Sequence, residues 1–192
     1  MTPGGSGSRF GLLAAWRFRR HAASYVQGLW AEPNVADVEW LTSLEPNDDA
    51  DHARWELRYL QRAAILLAAE RDALDDRTPA VVARAIARAF EGDSAVAHDR
   101  AAVARHQFNE RLASYRSVLS AREATPVTPR LGLVLLTFLG RPTAASDPLA
   151  LRAGTIVQDA LTRASDALRA RFGTAELPED IAPSAAMGGV KR

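Results

Sequence analysis

The chain has 192 residues, 47% of them apolar and 24% charged, with a net charge of +1 and no cysteine. That length supports one domain with a sizeable core. The absent cysteine removes disulfides, thiolate nucleophiles, iron–sulfur clusters and cysteine-held zinc at once, and the near-neutral balance gives no global pull toward nucleic acid or acidic membrane.

Residues 1–8, Met-Thr-Pro-Gly-Gly-Ser-Gly-Ser, read as a flexible leader. The apolar stretch from Phe10 to Trp16 is followed by Arg17, Arg19 and Arg20, the reverse of a signal peptide's order. A first helix is predicted over 9–31 and ends at Pro33. Its apolar sector holds Phe18, Ala22, Tyr25, Val26 and Leu29, and opposes Arg9, Arg17, Arg20 and Gln27. A short helix over 35–44 follows Asn34 as its cap and stops before Pro46. Asn47-Asp48-Asp49 then opens a long third helix that runs from Asp51 through Glu70, where acidic residues at the start suit the positive end of the helix dipole.

Three later helices carry a capping residue followed by proline: Thr78-Pro79, Thr128-Pro129 and Asp147-Pro148. Proline loses nothing at the first helical position, where its missing N–H has no partner in any case. These pairs predict helices over 79–91, 129–139 and 148–172, with another over 94–122 entered after Gly92-Asp93. From 173 onward the chain reads as a disordered tail. The fold class is therefore all-α: one irregular bundle of about seven helices over 9–172, with the apolar 129–139 helix at its centre. The most apolar window, Leu131–Leu139, is nine residues long, against about 20 for a membrane span. The expectation is a soluble, cytoplasmic protein without a membrane span.

Of the 24 basic residues only Lys191 is lysine. Such an excess of arginine suits phosphate and carboxylate recognition, but alanine is in excess as well, and GC-rich coding explains both.

The residues that stand out most are Glu56 and Glu70. At about 100° per residue they share the apolar face of the third helix with Leu60, Ala63, Leu67 and Leu74. A carboxylate on a core-facing stripe needs a partner, a proton or water. One reading is a ligand or cation site of inward carboxylates with His52. The preferred reading is a buried ion pair with Arg19, which falls inside the apolar sector of the first helix; Arg71 and Arg111 also border apolar stripes. His52 and Glu56, four apart, have a counterpart in His106 and Glu110, but that second pair lies on a solvated face, so no shared metal site is expected. The run Asp72–Pro79 lacks the ligand spacing and glycine of a calcium loop. Asp75 or Asp76 reads instead as a cap.

Trp16, Trp30, Trp40 and Trp55 all fall in the first third of the chain, as core packing or as an interaction surface. There is no nucleophile elbow, phosphate loop or dinucleotide fingerprint, and Val35–Leu44 carries Asp37 and Glu39 where a DNA-reading helix would be basic. The expectation is a non-catalytic protein without cofactor or metal. It would act through protein–protein interaction or self-association, as an adaptor, chaperone-like or assembly factor. The alternative is a small-molecule or metal-binding bundle built on His52, Glu56 and Glu70.

Overall fold

The structure, a computed structural model, describes residues 7–173 other than Pro46, and side chains from residue 15 onward apart from that of His98. The leader over 1–8 and the tail from 173 thus fall almost wholly outside the described residues. Among the described residues seven α-helices follow one another: α1 (Gly7–Leu29), α2 (Val35–Thr42), α3 (Ala50–Asp72), α4 (Arg77–Glu91), α5 (Ala101–Ser120), α6 (Val127–Phe138) and α7 (Pro148–Phe172). A short 3-10 turn, His98–Arg100, precedes α5, and no strand occurs among the described residues. The chain is all-α, as its periodicity predicts. No described helix is long and apolar enough to cross a membrane.

Side-chain caps set the starts of α2, α3, α4 and α7. Asn34 accepts from the Ala36 N–H, Asp49 from the N–H groups of Asp51 and His52, and Asp147 from that of Leu149. Asp75 takes the N–H groups of Arg77 and Thr78 as well as the Thr78 hydroxyl. It therefore starts α4 at Arg77, two residues before the predicted 79. Helix α6 likewise starts at Val127, with Pro129 inside its first turn. Helix α5 starts at Ala101 rather than 94, because Asp93 closes a local turn, accepting from the Ala95 N–H through its side chain and the Val96 N–H through its carbonyl.

One buried apolar cluster draws on all seven helices. Its centre is α3 rather than the predicted 129–139 helix: α3 packs against each of the other six, and every residue from Arg62 to Ala69 is buried. A helix clad on all sides has to be apolar or paired all round, and this stretch of α3 is mostly alanine and leucine. Helix α6 is buried along Pro129–Gly132 and Leu135–Leu136, chiefly against α7 and α5. The α6–α7 crossing is close because glycines face it. A Cβ on Gly132 would stand 1.9 Å from the Ala150 carbonyl oxygen, and one on Gly154 would stand 2.0 Å from that of Thr128. At the other side of the bundle the Tyr25 hydroxyl lies 3.1 Å from the carbonyls of both Ile65 and Ala164, tying α1 to α3 and α7. Burial, with the nearby Asp72 charge, pushes that phenol above its ordinary range.

Candidate functional site

Glu56 is buried, as its position predicts, but its partner is Arg111 of α5. The guanidinium Nε donates to Glu56 Oε2 at 3.0 Å and Nη2 to Oε1 at 2.5 Å, a two-pronged pair in which the side chains are 10% and 2% exposed. A further N–H of Arg111 reaches the Gln107 carbonyl at 3.3 Å, and its plane lies over Phe138, 4.2 Å from the ring centre. Burial alone would lower the Arg111 guanidinium. The hydrogen bonds and charge of Glu56 outweigh it and hold the group above its ordinary range. Tyr115, wholly buried nearby, is pushed up by burial and then by the Glu56 charge.

His52 bridges Glu56 to a second buried carboxylate. Its Nε2 lies 3.4 Å from Glu56 Oε1, and its Nδ1 meets Glu45, whose other oxygen accepts from the Asp49 N–H at 2.9 Å. The chain Glu45–His52–Glu56–Arg111 thus fastens the α2–α3 connection through α3 to α5. Both Glu56 oxygens are taken by Arg111. No group of three or more His, Asp or Glu among the described residues is placed to hold a metal ion.

The other sequence candidates part company with this network. Glu70 lies at the open end of α3, 34% exposed, and receives a two-pronged pair from Arg116 at 2.8 and 3.0 Å. Arg19 meets neither glutamate among the described residues. It is exposed on the face of α1 that looks toward α4. The expected Glu–Arg19 pairing is therefore replaced by Glu56–Arg111 and Glu70–Arg116, both made across α3 and α5. His106 and Glu110 form the exposed pair expected of them, at 3.4 Å.

Two buried arginines that helical periodicity left unmarked do similar work. Arg62 pairs with Asp93 and lies over Trp30 and Phe90, 4.3 and 4.6 Å from their ring centres, and more distantly over Trp55. Its Nη1 has no oxygen partner, so the aromatic faces are what receive its charge. Burial lowers this guanidinium, and Asp93 restores it in part. Arg130 donates to the Val118 and Ala121 carbonyls and to Glu123, closing the C-terminal end of α5. The sequence signal for both is the same as for Arg111: an arginine inside an apolar stripe.

The four tryptophans do not make one surface. Trp30 and Trp55 share Arg62, Trp40 lies under Arg152 of α7 at 4.3 Å, and Trp16, 56% exposed, sits under Arg20 at 5.5 Å. Trp30 lines a sizeable concavity.

That concavity is a groove between α1 and α4, which run parallel. Ala15 and Phe18 face the start of α4, and Trp30 faces its end. Two hollows of about 650 and 770 Å³ share Arg19, Val81 and Arg84 and so form one channel. Its floor is apolar: Phe18, Ala23 and Val26 from α1, Trp30 just beyond it, and Val81, Ala85 and Ala89 from α4. Along its rim stand Arg19, Arg77, Arg84 and Arg88, none of which forms an ion pair among the described residues. The acids lie at the ends, Asp75 and Asp76 where α4 starts and Asp93, committed to Arg62, beyond its last turn. Over the middle the charge is arginine alone. Comparison with protein-family models, with curated proteins and with solved structures finds no match to this chain.

Proposed function

We propose that the protein is a non-catalytic interaction module that holds an acidic, apolar-faced helical segment of a partner protein in the α1–α4 groove. The observation that carries this reading is the arrangement, along an apolar floor, of arginines that have no ion-pair partner among the described residues. Helix α4 has 15 residues, so the groove is about 22 Å long at 1.5 Å per residue, the span of a four-turn helix. A helix seated in a groove presents apolar anchors at i, i+3, i+4 and i+7. Small floor residues such as Ala23, Ala85 and Ala89 leave room for larger anchors from the other side. Carboxylates flanking those anchors would meet Arg19, Arg84 and Arg88, and a guanidinium fork matches a carboxylate in shape as well as charge. The inward carboxylates offer less. Glu56 is saturated by Arg111 and Glu70 by Arg116, which leaves no open ligand position at either.

The test is an NMR titration of the isotopically labelled full chain with a 16-residue amphipathic helix of leucine and glutamate. Shifts concentrated on α1 and α4, weakened by Arg84→Glu and absent with the matching leucine–lysine peptide, support the reading. Shifts spread elsewhere on the bundle, or equal response to both peptides, refute it.

A further inference from the structure

Resting on that reading of the groove, we infer that the chain carries its own competitor for it: the segment 175–181, Ala-Glu-Leu-Pro-Glu-Asp-Ile, docks on the α1–α4 groove and shields it. The first ground is where the described chain leaves the bundle. Phe172, the last residue of α7, packs edge-on against Phe18 with ring centres 5.5 Å apart, and against Tyr25 at 6.2 Å. Phe18 is itself part of the groove floor. The chain is thus delivered to the groove's edge, beside α1, by an aromatic contact.

The second ground is composition. Glu176, Glu179 and Asp180 give three negative charges within five residues, interleaved with Leu177 and Ile181. Those are the two kinds of group the groove offers partners for: arginines along its middle and an apolar floor. Asp75 and Asp76 oppose a carboxylate only near the start of α4, and Asp93 is neutralised by Arg62. Reach is sufficient too. The nine residues 173–181 extend about 30 Å at 3.3 Å per residue, more than the groove's length.

The consequence is regulation by intramolecular occupancy. A tethered segment competes at an effective concentration on the order of 1 mM. Against a groove affinity on the order of 0.1 mM, it weakens a partner's binding about ten-fold. A partner segment therefore has to displace the chain's own carboxylates.

The experiment uses the full chain, and the absence of cysteine makes site-specific labelling clean. A nitroxide attached through Ala182→Cys is expected to broaden the amide signals of Arg84, Ala85 and Arg88 and of the facing turns of α1. Charge reversal of the segment (Glu176→Arg, Glu179→Arg, Asp180→Arg) is expected to abolish that broadening and to tighten binding of the leucine–glutamate peptide about ten-fold. If the peptide binds the groove but the nitroxide leaves α1 and α4 untouched, the tail inference is overturned while the groove reading stands. If the peptide fails to bind even the charge-reversed chain, the groove reading fails and takes the inference with it. Broadening that arises only between copies, seen by mixing labelled and nitroxide-bearing chains, overturns the intramolecular form of the proposal.

Discussion

Replacing Glu56 with glutamine is the sharpest test of what holds α5 against α3. The substitution keeps size and shape but removes the charge and turns one oxygen into an N–H₂ donor. Arg111 is then left with a donor facing a donor on one of its two prongs, at a site where its side chain is 10% exposed. Breaking a buried pair from one side costs roughly 3–5 kcal/mol. The residual acceptors soften that figure: the Gln107 carbonyl at 3.3 Å, Glu110 at 3.6 Å, and the glutamine oxygen itself. We expect a loss of about 2–4 kcal/mol, read from urea unfolding followed by circular dichroism. The exposed pair supplies the internal control. Glu70→Gln is expected to cost less than about 1 kcal/mol, as solvent-screened pairs do. A Glu56→Met/Arg111→Met double variant should recover a good part of either single loss, since the two sites are in contact and couple. A Glu56→Gln cost no greater than that of Glu70→Gln would refute the claim that the buried network anchors the fold.

Gly154→Ala places a methyl group 2.0 Å from the Thr128 carbonyl oxygen. Overpacking ordinarily costs about 1–3 kcal/mol, and a backbone obstacle that cannot swing aside puts this change at about 3 kcal/mol or more, measurable as a lower urea midpoint. Arg62→Lys keeps the charge beside Asp93 but gives up the flat stacking on Trp30 and Phe90. A loss of about 1–2 kcal/mol is expected from the stacking contribution, with a change in tryptophan fluorescence that a purely electrostatic role would not produce. Asp72 is held below the usual carboxylate range by its hydrogen bond from Arg71 and by the Ser165 hydroxyl. A depressed carboxyl stabilises the fold above its unfolded pKa of about 4, and that contribution fades as pH falls through the lower folded value. Asp72→Asn should therefore narrow the stability gap between pH 6 and pH 2, and an unchanged pH profile would count against this lashing of α3 to α7.

How much of this was legible in the sequence depends on which coordinate a residue needed. Angular position around a helix is encoded by spacing, so the burial of Glu56 follows from its place among Leu60, Ala63 and Leu67. Axial position and the identity of the neighbouring helix are not encoded that way. Glu70 shares the same face, yet it lies in the last turn of α3, where Arg116 and solvent meet it. Arg19 and Arg111 both interrupt apolar sectors. The stripe of Phe108, Leu112 and Tyr115 around Arg111 faces α3, whereas the stripe around Arg19 is shared between α3, α7 and α4. Caps are local and read well, as Asn34, Asp49 and Asp147 illustrate. The late start of α5 does not, because Asp93 is drawn into a turn and an ion pair with a residue 31 positions away. The groove was the least visible of all, since it exists only where two parallel helices, separated by α2 and α3 in sequence, come side by side.

The division among the arginines carries the functional argument one step further. Arg62, Arg111 and Arg130 are buried against carboxylates, carbonyls or aromatic faces, and they lock helix to helix. Arg84 and Arg88 are four apart on α4, exposed and without carboxylate partners among the described residues. Like charges at that spacing destabilise a helix by roughly 0.2–0.5 kcal/mol per pair. Were stability the only demand, one of the two would serve better as glutamate. Arg84→Glu would replace the repulsion with an attraction to Arg88 in the favourable order, acid before base, a gain of about 0.5–1 kcal/mol. The same change removes a positive charge from the middle of the groove. Stability and groove occupancy should then move in opposite directions: a higher urea midpoint together with weaker binding of the leucine–glutamate peptide. If both fall together, Arg84 is a structural residue and the groove loses its strongest support. If stability rises and binding is unchanged, the arginine row is not what the peptide reads.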